Sequence, residues 1–309
     1  MNLEPSNQLS LFTIGNYLLD LSNLYLNDKL PNKVLLSGEK GIGKSTLAYH
    51  LINFVLSQDE EFSYDLQNLK INPRNKSFRL LQNKSNPNFI LVDLYEEKKN
   101  IDINQIRNLV LTLNKSSFNN KTRFVLIDNI ELLNINAINA LLKILEEPND
   151  NINFILINNN KKILPTLKSR CLNFKIHLTT NKTYEVTNKI LNNSYIDLIN
   201  NEFINIYNTP GEILRLIDFA YKNDIDLKQT SVKKLIKKII MNKNYKKDSF
   251  IIKLIYSLIE IYFRNNISIN NIKLINSYNY FIKKIHNTKM YNLDEESLLI
   301  EFEDRVLNG

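Results

Sequence analysis

The nine residues GEKGIGKST, Gly38 to Thr46, constrain this chain more than any other stretch. Gly38, Gly43, Lys44 and Ser45 stand at the required positions of the phosphate-binding loop pattern, with Gly41 and Thr46 completing it. That pattern has meaning only between a strand and a helix, and both are legible. KVLLS (Lys33 to Ser37) is a short apolar run that reads as a buried strand, and STLAYHLINFVL continues at helical spacing with Leu47, Leu51, Phe54 and Val55 on one face. In this setting glycines let backbone N–H groups wrap an anion, and the helix N-terminus adds its dipole. Lys44 can bridge outer phosphates and the Ser45 hydroxyl can ligate magnesium. The expected ligand is ATP or ADP with magnesium.

Strand and helix signals alternate around this loop. FILVDL (Phe89 to Leu94), RFVLID and NFILIN are further strand candidates, and in IDINQIRNLVLTL Asp102 and Gln105 fit the capping-box offset. Ile138, Leu141, Leu142 and Leu145 form an apolar stripe on a helix that Pro148 is expected to end. The alternation runs to about residue 176 and argues for an α/β domain, a parallel sheet with helices on both faces. From Thr183 to Leu307 the pattern is helical throughout, with NTPGE placing Thr209 as a cap and Pro210 at the first helical position. Polar residues from Asp224 to Ser231 mark a further break. The expected division is therefore a P-loop domain over 1–178, a small helical lid over 179–225 and an all-α collar over 226–309.

Composition excludes several classes. With 309 residues and 43% apolar content the chain can bury a substantial core. The single cysteine, Cys171, rules out a disulfide framework or a Cys-rich zinc module, and His50, His177 and His286 offer no ligand spacing, so no zinc is expected. The opening MNLEPSNQLSLF does not read as a signal peptide, and the most apolar stretch, FIIKLIYSLIEIYF, is too short for a membrane span and is broken by Lys253 and Glu260. The expectation is a cytoplasmic protein with no membrane contact. The net charge of +8 reflects a general richness in Lys, Asn and Ile. The lysines of SVKKLIKKIIMNKNYKKD could meet DNA phosphates, but on a helix they read more simply as one solvated face.

A P-loop needs a second strand ending in a carboxylate that reaches the magnesium. Asp128, closing RFVLID, is the candidate, the alternative being an Asp that caps the following turn. Hydrolysis also needs a group to orient water, usually a carboxylate directly after that aspartate. Asn129 stands there instead, and Glu131 is expected to point elsewhere.

NALLKILEEP (Asn139 to Pro148) and LPTLKSRC (Leu164 to Cys171), in this order after the P-loop, resemble the bacterial clamp-loader proteins of the AAA+ class. Motor members of that family carry an Asp-Glu pair, a four-cysteine zinc module after the P-loop helix and a sensor arginine opening a lid helix. Here Asn129 replaces the glutamate, Asp59 to Asn86 holds no cysteine, and Gly211 aligns with the arginine. The Pro-Gly of TPGEIL, NPNFILV (Asn86 to Val92) and YNLDEESLL (Tyr291 to Leu299) are instead similar to the delta-prime branch. The resemblance implies a clamp-loader role in DNA replication with little ATP hydrolysis. Implied partners are motor subunits of gamma/tau type, a delta-like subunit and, through the complex, the sliding clamp and primed DNA.

It also implies that Asn158 or Asn159 is a polar sensor for the outermost phosphate, and that Arg170 of the Ser-Arg-Cys signature projects into a neighbour's nucleotide site. By itself Arg170 would read as a surface arginine paired with a local carboxylate. Cys171 reads as a small buried residue rather than a nucleophile. The rival is an autonomous P-loop enzyme, either an ATPase motor or a small-molecule kinase. A kinase would need an Arg-rich lid and an acceptor base, neither of which can be pointed to.

Overall fold

The computed structural model describes residues 3–12, 14–95, 98–115, 121–146, 151–204, 209–246, 249–268, 271–291 and 293–308. Pro148 as a helix stop, Asn208 of NTPGE, Lys247 and Asp248 of the lysine-rich stretch, and Asn292 lie outside them. The chain divides into two compact units, one made of 1–189 with 209–211, the other of 190–208 with 212–309.

In the first unit the elements run α1 (Gly15–Leu26), β1 (Lys33–Ser37), α2 (Lys44–Leu56), α3 (Lys76–Gln82), β2 (Phe89–Val92), α4 (Ile103–Leu113), β3 (Arg123–Ile127), α5 (Ile135–Glu146), β4 (Ile152–Asn158), α6 (Pro165–Lys168) and β5 (Leu172–Lys175). Helix α7 (Thr180–Leu191) follows. The described strands form one parallel sheet in the order β2-β3-β4-β1-β5, with Leu35 paired to Leu156 and Val125 to Phe154 at its centre. Parallel pairing requires crossovers, and these put apolar helix faces on both sides of the sheet. Alternate strand residues then enter two separate cores. Val34, Leu36, Phe124, Leu126, Ile155 and Ile157 pack toward α1, α2 and α3, whereas Leu35, Val125, Ile127, Phe154 and Leu156 pack toward α4 and α5.

Helix α2 departs from the expected single apolar face. All but Ser45 and Thr46 of its residues are buried, His50 and Asn53 included. It fills the first core, so its polar side chains must find partners inside. His50 sits between the Tyr64 hydroxyl at 2.8 Å and the Gln8 carbonyl at 3.2 Å, and the Asn53 amide donates to Asn75 Oδ1 at 2.9 Å. Asn75 also caps α3 by accepting from Phe78 N at 2.6 Å and donates to the Phe62 carbonyl. Glu60 accepts from the Ser77 N–H and hydroxyl. The cysteine-free segment is thus fastened by caps and an edge-on cluster of Phe54, Tyr64 and His50.

Asp102 and Gln105 form the expected capping box at the start of α4.

The second unit is helical throughout its described residues. It holds α8 (Pro210–Lys222) beyond that helix's first two residues, then α9 (Val232–Met241), α10 (Ser249–Asn266), α11 (Ile272–Tyr291) and α12 (Glu295–Phe302). Phe263, Phe281 and Phe302 meet at its centre, with ring centroids 5.1 to 6.5 Å apart. Asn200 N donates to Leu227 O and Val232 N to Glu202 Oε2, joining the segments before and after the polar break near Asp224. In α9, Val232, Leu235, Ile236, Ile239 and Ile240 are buried while Lys233, Lys234 and Lys238 lie on the exposed face. No helix among the described residues is long and apolar enough to cross a membrane.

Candidate nucleotide site

The site is assembled where β1 turns into α2. Gly41 and Gly43 adopt φ of 90° and 96°, left-handed values that only glycine takes without strain. Lys44 opens α2 and is 3% exposed. Its Nζ donates to the carbonyls of Gly38 at 2.9 Å and Glu39 at 2.5 Å. Burial lowers its pKa to about 8, against the opposing pull of Asp128 and Glu131.

Asp128 follows β3, two strands from β1 in the sheet, and reaches the loop directly. The Ser45 hydroxyl donates to its Oδ2 at 2.6 Å. Burial raises the Asp128 carboxyl above its ordinary pKa, and nearby Asp93 adds to the rise while Ser45, the Asn129 N–H and Lys44 oppose it. A hydroxyl and a carboxylate side by side are the oxygen donors that a magnesium ion carrying phosphate ligands takes from a protein. The residues therefore fit that ion.

A belt of amides and carboxylates crosses the strand ends beside Asp128. Asn129 has φ 55°, a left-handed conformation that asparagine tolerates better than most side chains. Its Nδ2 donates to Asp93 Oδ1 at 2.8 Å, and its Oδ1 accepts from Asn159 Nδ2 at 2.9 Å. Asn159 Nδ2 also donates to Glu131 Oε1 at 2.9 Å, and Asn159 N donates to Glu131 Oε2 at 3.2 Å. Glu131, expected to point away, is instead drawn into this belt. Asn158 is buried and bonds the Lys161 backbone in both directions, while its own carbonyl accepts from Gly38 N at 3.2 Å. Of the two sensor candidates, Asn159 joins the belt and Asn158 braces the start of the loop.

Two contributors were not legible beforehand. Asp93 lies just past β2, beside β3, which Asp128 follows. Its place within FILVDL was the available signal, because neighbouring parallel strands end at one edge of a sheet. The other is the start of α8. The Thr209 hydroxyl donates to Lys40 O at 2.8 Å, and Gly211 N donates to Gly41 O at 2.9 Å. Pro210 is the first helical residue, as expected.

Arg170 stands apart from these groups, between α6 and β5. Its Nη2 meets Glu146 Oε1 at 2.5 Å and its Nη1 donates to Thr166 O at 2.8 Å. Cys171 is half-buried, and burial raises its thiol to about 11, so little thiolate forms at neutral pH.

The family model described as "DNA polymerase III, delta subunit" matches residues 15–180, more than half of the chain. The DNA polymerase III subunit delta' of Pseudomonas aeruginosa is 34% identical over 139 residues, 45% of this chain and 40% of that protein. Its counterpart in Buchnera aphidicola subsp. Baizongia pistaciae is 34% identical over 155 residues, 48% of this chain and 44% of that protein. The gamma subunit of Buchnera aphidicola subsp. Schizaphis graminum is 32% identical over 160 residues, 51% of this chain and 41% of that protein. The chain spans less than half the length of these three relatives. A solved gamma subunit-related protein of Thermotoga maritima shares the fold at a TM-score of 0.54 and 18% identity, over 92% of this chain and 99% of that one. A P-loop met by a strand-end aspartate, in a parallel sheet, thus coincides with the matched segment, and the chain belongs to the DNA polymerase III delta-prime clamp-loader family.

Proposed function

We propose that the chain works as the delta-prime-like subunit of a DNA polymerase III clamp loader, in the cytoplasm and with no membrane contact. It would hold ATP or ADP with magnesium through Gly38, Gly41, Gly43, Lys44, Ser45 and Thr46, with Ser45 and Asp128 as the protein's magnesium ligands and Asn159 or Asn158 near the outermost phosphate. Its partners would be motor subunits of gamma/tau type and a delta-like subunit, and it would meet the sliding clamp and primed DNA through the complex. In this reading 1–178 is the nucleotide domain, 179–225 a lid and 226–309 a collar that joins the ring. Arg170 would act in a neighbour's site.

The observation that carries weak hydrolysis is Asn129, whose amide is engaged on one side by Asp93 and on the other by Asn159. An amide there cannot accept a proton from attacking water as a carboxylate can. The test is nucleotide binding and steady-state ATP hydrolysis by the purified chain, with Lys44→Ala as control. Binding lost in that variant, with turnover far below that of a motor subunit, is the expected result. Binding unchanged by Lys44→Ala removes the P-loop as the site.

A second reading, an autonomous ATPase, draws on Glu131, which the belt holds beside Asn159 and whose charge acts on Lys44. Motor-like turnover by the chain alone, lost in Glu131→Gln, would favour it.

A further inference from the structure

We propose that Thr209 and Gly211 are positioning residues for the P-loop, holding its backbone N–H groups aimed at the phosphate from behind. This rests on the nucleotide reading above. In a trans peptide the C=O and N–H lie in one plane and point in opposite directions. Fixing the Lys40 carbonyl therefore fixes the N–H of Gly41, and fixing the Gly41 carbonyl fixes that of Ile42. Those two carbonyls are the ones that the Thr209 hydroxyl and the Gly211 N–H hold, at 2.8 and 2.9 Å. The carbonyls of Gly38 and Glu39 are held by Lys44. Four consecutive peptide planes are thus set by the protein's own groups, two by the loop's own lysine and two by a segment about 170 residues away in sequence.

The contact is built for close approach of one backbone to the other. A Cβ on Gly211 would lie 2.7 Å from Gly41 Cα and 2.9 Å from its carbonyl oxygen, both immovable backbone atoms. A Cβ on Gly41 would lie 2.4 Å from Thr209 Oγ1. Thr209 is 2% exposed, so its hydroxyl is kept from water, and its bond to Lys40 has little competition from solvent. A glycine at 211 lets the α8 N–H reach the loop. An anion-binding loop loses affinity when its donors must be ordered during binding, so preorganisation appears directly in the dissociation constant.

The experiment titrates ADP with magnesium into the full-length protein by calorimetry, and follows amide hydrogen exchange of residues 38–43. Thr209→Val keeps the shape and removes one hydrogen bond, and the expected result is about fivefold weaker binding with faster exchange of the loop. Thr209→Ser, which restores a hydroxyl, is expected to bind close to wild type. Gly211→Ala, whose methyl presses on Gly41, weakens binding further. ADP binding by Thr209→Val as tight as wild type, or tighter, overturns the proposal. If the wild-type protein binds no nucleotide, the nucleotide reading itself fails. Loop exchange then decides this inference alone, and unchanged exchange in Thr209→Val removes it.

Discussion

Arg170 and Glu146 form an ion pair at 2.5 Å between the end of α5 and the loop after α6, with the arginine side chain 32% exposed. The pairing is the one expected of an ordinary surface arginine, yet it does not oppose a role in a neighbouring subunit. A partly exposed pair of this kind contributes about 0–1 kcal/mol, so the guanidinium can leave it at little cost. Arg170→Ala is expected to leave the chain folded and its own nucleotide binding intact, and to reduce hydrolysis at one motor site of the assembled loader by ~10³-fold or more. Arg170→Lys should rescue poorly, because an ammonium lacks the planar two-pronged contact. Glu146→Gln should leave that hydrolysis at or above wild type. Clamp-stimulated ATPase of complexes verified by native mass measures all three. Full activity in an assembled Arg170→Ala complex would show that the arginine does no more than pair with Glu146.

Asn129→Glu is expected to cost stability and add little turnover. Glutamate tolerates the left-handed backbone of this position less well than asparagine, a penalty of about 1–2 kcal/mol. It would also set a carboxylate against Asp93 where an N–H now donates, and repel Glu131 through the belt. A lower melting temperature with ATPase near wild type is the expected pair of results. A large gain in turnover at unchanged stability would mean that only the water-orienting group is missing.

Nucleotide affinity should depend on pH through Lys44. In the free protein burial holds its pKa at about 8, and a bound phosphate raises it by favouring the charged form. Below about pH 8 the lysine is protonated in both states and contributes no dependence. Above it, binding must take up a proton, and affinity should fall by up to about tenfold per pH unit. Calorimetry at pH 8.5 in two buffers of different ionisation enthalpy reads that uptake directly. Equal apparent heats would exclude it.

His50 makes the stability of the first unit sensitive to acid. The Gln8 carbonyl can only accept, so Nε2 carries the proton and Nδ1 accepts the Tyr64 hydroxyl. Burial lowers the pKa from 6.5 to about 4, with the Gln8 hydrogen bond opposing. Between those values the unfolded chain binds more protons than the folded one, so stability is present above pH 6.5 and is lost as pH falls toward 4. From pH 7 to pH 5 the loss from this group is ~2 kcal/mol. Urea unfolding of wild type and His50→Gln across this range should show a steeper loss for wild type. Parallel curves would place the acid sensitivity elsewhere.

What the sequence alone determined was local in origin. Short apolar runs placed KVLLS, RFVLID and NFILIN on strands, and helical apolar periods placed the intervening stripes on helices. Glycines at 38 and 43 with Lys44 and Ser45 marked the loop, because those residue types meet a backbone requirement that neighbouring residues alone impose. Tertiary structure decided which donor meets which acceptor. NFILIN closes on Asn158 and is followed by Asn159, two asparagines that the sequence could not tell apart, and only the closing of β4 beside β3 turned Asn159 to Asn129 and Glu131 and left Asn158 to the Lys161 backbone. The burial of α2 on all sides depended on α1, α3 and the sheet meeting around it. The hold of Thr209 and Gly211 on Lys40 and Gly41 joins residues whose own surroundings read only as a helix start and a glycine-rich loop. A hydrogen bond between distant segments leaves no periodicity in either, since its energy exists only once the chain has brought them within 3 Å of each other.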